Sequence, residues 1–354
     1  MSHGAAHPGI RRRARAWLRA ALGAGLLALS CSGCGIAAAS GAPSDHARPG
    51  PPESPLASLR LYVSPSSPAA EQAARWRAEG DLQEAGAIEA IARRPTFTWL
   101  SGGGQESAAI ARRVIAAAAR SRTAAELVLY DIPDRDCHGY SSGGAATAGD
   151  YRAFIAGVTR VIAQRTAVIV MEPDAIDQAA EGCLGSAGRA RERYRLLAGA
   201  ISSLRHDRRA HVYLDAGNAS WLPVSRIVGA LRSADVARAA GFALNVANFQ
   251  TTATSVRYGE RLSRALHGAH FIIDTSRNGN GPPRAADGVD TWCNPPGRAL
   301  GAAPTTRTGI RNLDAELWVK YPGESDGACA AGEPPAGTWW PSYALGLVRA
   351  VGQR

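Results

Sequence analysis

The chain is 354 residues long, with 20% charged and 6% aromatic residues, six cysteines and a formal net charge of +10. Five arginines and no acid fall within its first 40 residues, so half of the net charge belongs to that short segment. The remaining arginines are scattered, without a basic stripe or interleaved aromatics, which excludes a nucleic-acid partner and leaves an ordinary solvated surface.

Residues 11–19 (RRRARAWLR) lead into an Ala/Leu-rich run over 20–29. A basic stretch before an apolar run too short to span a bilayer is the pattern of an export signal, here residues 1–40. Ala37-Ala38-Ala39 offers small residues for cleavage, while Ser32-Gly33-Cys34 resembles a lipoprotein box with Cys31 where an aliphatic residue is usual. The expected product is secreted or held at the cell surface, with a lipid on Cys34 or Cys31 as the alternative, and keeps no transmembrane segment. Residues 41–58 are rich in Pro, Gly, Ala and Ser, which bury too little apolar surface to order a chain, and they are expected to form a linker. One large domain is expected over 59–354, with no second folded module on either side. Four cysteines remain there, Cys137, Cys183, Cys293 and Cys329. An even number in an exported chain, without Cys-x-x-Cys spacing, favours two disulfides over a metal site.

From Pro95 onward, short apolar runs alternate with longer stretches of helical period, the mark of βα units and a parallel sheet. The spacing predicts strands over 96–100, 126–131, 167–172, 211–215, 241–245, 270–274 and 316–320. Helices are predicted over 105–120, 151–164, 187–204, 223–240, 255–266 and 342–351. The fold class is α/β, a single-domain distorted parallel (β/α) barrel of about seven strands. A lone aspartate at a strand end usually caps the next helix. Six of seven predicted strands terminating on polar or ionisable groups instead imply a polar floor at the barrel face where active sites assemble.

The stretch 127–144, LVLYDIPDRDCHGYSSGG, is compatible with three chemistries. Gly139-Tyr140-Ser141-Ser142-Gly143 satisfies Gly-x-Ser-x-Gly, but a nucleophile elbow needs its serine directly after a strand, and Pro133 and Cys137 intervene here. Asp131, Asp134, Asp136 and His138 could converge on a metal, yet they lack calcium-loop spacing and a late bidentate glutamate, so no metal and no cofactor are expected. The third chemistry is carbohydrate cleavage by carboxylates from different strands, with aromatic faces holding the rings. Asp136, Asp174, Asp215 and Asp326 supply acids from four separate loops, and Trp99, Trp221 and Trp292 lie at or after strand ends.

Seven blocks in order strengthen that third chemistry: YDIPDRDC over 130–137, MEPD over 171–174, YLDAG over 213–217, NVAN over 245–248, IDTSRNG over 273–279, WCNP over 292–295 and WVKYPGESDG over 318–327. Together they resemble glycoside hydrolase family 6, the inverting cellulases that include endoglucanases and cellobiohydrolases acting on β-1,4-glucan. The resemblance implies a distorted βα barrel and makes Asp174 the general acid. Asp136 would keep that acid protonated, Asp326 would be the proposed base, Ser142 would hold water and Tyr130 would crowd the sugar at the cut. Arg135 would pair with nearby acids. Lys320 and Glu324 would bind glucose hydroxyls, Asp215 and Asn245 would contribute to binding, and Trp99, Trp221 and Trp292 would stack on rings. It also implies the pairs Cys137–Cys183 and Cys293–Cys329, each closing a loop that carries an acid. Asn218 stands where the family usually has histidine, which changes one substrate contact. No long insertion is present to roof the site, so an open cleft and internal cutting are expected, with chain-end cutting or glucan binding without turnover as alternatives. The chain is expected to act as a monomer on a β-1,4-glucan.

Overall fold

The computed structural model describes residues 54–284 and 292–352. The export signal, its two cysteines and most of the linker lie outside them. Seven strands form the sheet: β1 (Thr98–Leu100), β2 (Ala125–Leu129), β3 (Ala167–Met171), β4 (Ala210–Asp215), β5 (Gly241–Leu244), β6 (His270–Asp274) and β7 (Leu313–Leu317). Every neighbouring pair is parallel and the order follows the sequence. The helices are α1 (Pro68–Glu79), α2 (Leu82–Ala92), α3 (Gly104–Arg120), α4 (Ala148–Ile162), α5 (Ala175–Glu181), α6 (Ala187–Leu204), α7 (Val224–Ser233), α8 (Thr252–Ala265) and α9 (Pro341–Arg349).

The strand period of two sorts side chains into two layers. Val128, Tyr130, Val168, Val170, Tyr213, Ile272 and Leu317 form one buried cluster inside the curved sheet. The alternating residues Leu127, Leu129, Ile169, Met171, Val212, Leu214 and Ile273 pack outward with helix residues such as Phe154, Leu197 and Leu231. A third cluster joins α1, α2 and α9 to Trp318 and Tyr321, just after β7. The two edges of the sheet do not join by a ladder. They are stitched where Phe97 N–H reaches Trp318 O (3.3 Å) and where the indole Nε1–H of Trp99 donates to Val319 O (2.9 Å). This is the expected distorted barrel of seven parallel strands, and its closure is incomplete.

Element ends shift by a few residues throughout, and three of the differences bear on the packing. Residues before Leu59 pack with the domain, because Leu56 is fully buried in the inner cluster and Ser54 Oγ donates to Asp314 O. The predicted helix over 223–240 ends at Ser233 and is followed by a single 3₁₀ turn, Val236–Arg238. The last strand is Leu313–Leu317, three residues before the predicted 316–320. Asp314 and Glu316 disguise it, and a bulge between Phe271 and Ile272 leaves Asp314 as the unpaired residue of its strand. The Asp314 carboxylate accepts Tyr213 O–H (2.7 Å) and faces His270 Nδ1 (2.7 Å), which explains a fully buried acid in this strand.

Candidate active site

Backbone strain concentrates at the C-terminal ends of the strands. Asp136, Cys137 and His138 have φ of +59°, +41° and +76°, Glu172 and Asp174 have +48° and +69°, and Asn245 has +65°. Non-glycine residues hold such angles only where the surroundings over-determine them, which marks this rim as a candidate site.

Glu172 fixes one side of the rim. Its carboxylate accepts N–H bonds from Asp131 (3.0 Å) and Ile132 (3.0 Å), so the β2 and β3 exits are clamped together. Asp174 follows as the N-cap of α5, and its N–H donates to Asp215 Oδ2 (2.9 Å) at the end of β4. Burial raises the Asp174 carboxyl well above the usual range, and Asp215, Asp136 and Asp326 push it further in that order. The strongest charged neighbour is thus Asp215, ahead of Asp136, to which the resemblance assigns this effect. Asp136 accepts Ser141 N–H (2.7 Å) and is within 3.4 Å of Gln178 Nε2; burial raises it as well.

Asp326 is held from three sides. Its Oδ2 accepts from the fully buried Arg277 (2.7 Å) and from Asn294 N–H (3.0 Å), while Lys320 Nζ lies 3.8 Å from Oδ1. Arg277 also donates to Ala247 O and lies over the Phe249 ring, 4.5 Å from its centroid.

A cleft of about 460 Å³ is bounded by Asp136, Asp174 and Asp326, with Tyr130, Asn218 and Lys320 on its walls and Trp99, Trp221 and Trp292 along it. Trp99 stands edge-on to Tyr130 (5.2 Å between centroids) with Lys320 5.8 Å from its face. Trp221 is oriented by a bond to Glu181 Oε2 (3.1 Å), and the half-exposed Trp292 leans on Tyr140 (6.0 Å). Ser142 and Glu324 line an adjoining cavity of about 660 Å³, which shares Trp99, Tyr130 and Lys320 with the cleft.

Two further residues expected to contribute to binding, Asn245 and Asp215, line neither the cleft nor the adjoining cavity. Asn245 is fully buried; its amide donates to Asp274 O (2.8 Å) and its carbonyl oxygen accepts Gln250 N–H, so it braces the loop after β5. Asp215 is 1% exposed and holds the backbone N–H of Asp174. Asn218 does reach the cleft, but its side-chain oxygen accepts both the N–H and the O–H of Ser220. Arg135 lies 4.0 Å from Asp131 and spends its donors on the carbonyls of Ser141, Ser101 and Tyr130. Sequence reasoning gave no role to Arg277, Glu172 or Asp177. Arg277 and Glu172 stand inside recognisable blocks, whereas Asp177 in Ala-Ile-Asp-Gln has the look of an ordinary solvated first-turn acid.

The disulfides Cys137–Cys183 and Cys293–Cys329 are present, each one residue or a few from Asp136 and Asp326. The alternative metal set does not assemble among the described residues: Asp134 pairs with Arg189 on the surface while Asp136 turns into the cleft. Ser141 has its N–H committed to Asp136, and among the described residues no histidine is hydrogen-bonded to it. The variant Ser141→Ala is expected to keep most of the activity and wild-type protein to resist fluorophosphonate labelling.

Buried acids also set the pH dependence of stability. Burial carries Glu172 to about 8 and Asp215 to about 7, against the N–H bonds that pull both down. Both carboxyls are raised on folding, so their contribution is whole below about pH 4 and drains as pH climbs through 7 and 8. Calorimetry is expected to show the melting temperature falling between about pH 5 and pH 8.

Carboxyls converging from several strand ends between tryptophan faces, on a parallel βα barrel, define a glycoside hydrolase site. The chain belongs to glycosyl hydrolases family 6, whose profile matches residues 56–351. It is 40% identical over 292 residues to endoglucanase A of Cellulomonas fimi, covering 82% of this chain and 61% of that protein. It is 31% identical over 355 residues to 1,4-β-D-glucan cellobiohydrolase C of Emericella nidulans, covering 83% and 78%. Among solved structures, the endoglucanase Cel6 of Mycobacterium tuberculosis, in complex with methyl-cellobiosyl-4-deoxy-4-thio-β-D-cellobioside, superposes with a TM-score of 0.79 at 41% identity. That match covers 85% of this chain and all of that one. The chain spans about three fifths of the length of the C. fimi relative.

Proposed function

We propose that the protein cleaves internal β-1,4-glucosidic bonds of cellulose or a related β-glucan, with inversion at the anomeric carbon. The observation that carries this reading is Asp174: a carboxyl kept protonated by burial and by Asp215, opening onto a cleft lined with tryptophans. A neutral acid at neutral pH is what protonation of a departing glycosidic oxygen requires. Tyr130 crowds the sugar beside it, and Trp99, Trp221 and Trp292 stack on neighbouring rings. Lys320 and Glu324 take hydroxyls on the Trp99 side. Asp326 orients or deprotonates the attacking water through Oδ1, the oxygen not taken by Arg277 and Asn294. Ser142 helps to hold that water.

Internal cutting is supported by the similarity to endoglucanases and by the absence of a long insertion near Trp292 and Asp326. The two disulfides favour work outside the reducing cytoplasm. Among the described residues no helix is long and apolar enough to cross a membrane. A parallel assay of viscosity and reducing ends on soluble carboxymethylcellulose tests the reading. Viscosity should collapse well before reducing sugar accumulates; a proportional change would mean chain-end cutting, as in the cellobiohydrolases, and no change would mean binding without turnover. Proton NMR of the first product should show the α-anomer, and an initial β-anomer would overturn inversion.

A further inference from the structure

The loop that carries Asp326 is held by more than the contacts on its carboxylate. Asn294 and Asp326 bond to each other twice: Asn294 N–H donates to Asp326 Oδ2 (3.0 Å), and Asp326 N–H donates to the side-chain oxygen of Asn294 (2.7 Å). The donor at residue 326 is a backbone N–H, so the Asn294 atom it reaches is the oxygen, and the amide nitrogen takes the other side. That nitrogen donates to Gly327 O (2.8 Å) and to Glu333 Oε2 (2.9 Å), both acceptors. The orientation of the amide is thereby fixed from both ends. No other side chain of this size offers an acceptor and two donors in one plane. Asn294 is 5% exposed and has φ of +41°, a conformation that a non-glycine residue keeps only where its partners over-determine it.

Glu333 closes the frame. The oxygen that receives the Asn294 amide also accepts Cys329 N–H (3.1 Å) and Ala330 N–H (3.1 Å). It ties residue 294 to residue 329, the same two segments that the Cys293–Cys329 disulfide joins. The residues on both sides of Asp326 are pinned as well, because Ser325 O accepts from Lys320 Nζ (3.1 Å) and Gly327 O accepts from Asn294. Arg277 and Asn294 both take Oδ2 of Asp326, which leaves Oδ1.

We propose that Asn294 and Glu333 are positioning residues for the attack of water: Asn294 fixes the backbone and the carboxylate plane of Asp326 together, and Glu333 holds the Asn294 amide in the orientation that does so. This rests on the reading of Asp326 as the group that handles water. Neither residue lines the cleft or the adjoining cavity, so both act through Asp326 and not on the sugar.

The test uses the full chain with Asn294→Gly, which removes the amide and suits a positive φ. Glu333→Ala and Glu333→Gln accompany it, and only the second keeps an oxygen for the three N–H donors. A misplacement of about 1 Å costs about 10²-fold, so kcat on soluble cellulose should fall about thirty-fold in Asn294→Gly and about ten-fold in Glu333→Ala. KM should stay near the wild-type value, and Glu333→Gln should recover most of the loss. Unchanged kcat in Asn294→Gly, or a raised KM with kcat intact, would overturn the proposal. Adding Asn294→Gly to Asp326→Asn should cost no further activity, since the amide works through the group already removed; losses that multiply would overturn it. Amide hydrogen exchange over residues 322–331 reads the frame without any chemistry. Protection there should drop in Asn294→Gly and Glu333→Ala and hold in Glu333→Gln, and equal protection in all three would overturn the proposal. Should Asn294→Gly not fold, the two Glu333 variants decide by the same readouts. An Asp326→Asn variant with wild-type kcat would refute the water-handling reading itself, and the exchange result would then stand for the frame alone.

Discussion

The variant Asp174→Asn is expected to lose about 10³-fold or more in kcat on soluble cellulose, within the usual contribution of a positioned proton donor. Its melting temperature should stay close to wild type or rise. The wild-type carboxyl is already neutral in this environment, and an amide of the same shape leaves the backbone bond from residue 174 to Asp215 in place. Viscosity, reducing ends and calorimetry on the same preparation separate the two effects. A variant that folds and cuts normally would remove Asp174 from the chemistry.

The second large effect is on stability. Arg277 has no exposed surface and binds Asp326, Ala247 O and the face of Phe249. Arg277→Met fills a similar volume but leaves Asp326, about 7% exposed, without its main counter-charge. Breaking one partner out of a buried ion pair costs about 3–5 kcal/mol, and guanidinium titration followed by fluorescence should read a loss of that size. Activity should fall in the same variant, because Asp326 would be left to Asn294 N–H and the more distant Lys320. A double variant Arg277→Met, Asp326→Asn should recover part of the stability and none of the activity, since it removes the stranded charge together with the group proposed to handle water.

The outline of this architecture was legible because parallel strands buried on both faces leave continuous apolar runs, and such runs stood out from Leu127 to His270. What failed at β7 was the same rule seen from the other side. Asp314 is buried by a bulge that lets it pair with Tyr213 and His270, and composition alone cannot separate that acid from a loop acid. The acids Asp136, Asp174 and Asp326 were found through their blocks and do meet in one cleft. For Asn245 the pattern is ambiguous, because a polar residue at a strand end can serve a ligand or the loop, and its hydrogen bonds here run to the loop. Asp177 was invisible for a different reason: one turn into a helix, only the packing of Gly217 against it tells a buried acid from a solvated one.

Trp99 joins two tasks that are usually carried by separate residues. Its ring lines the cleft, and its indole N–H makes one of the hydrogen bonds that join the edges of the sheet. A mutant library that varies position 99 to alter sugar preference therefore varies barrel closure at the same time. A clone that drops out of such a screen reports two failures at once, and Trp99→Phe, which keeps an aromatic face but not the donor, would tell them apart.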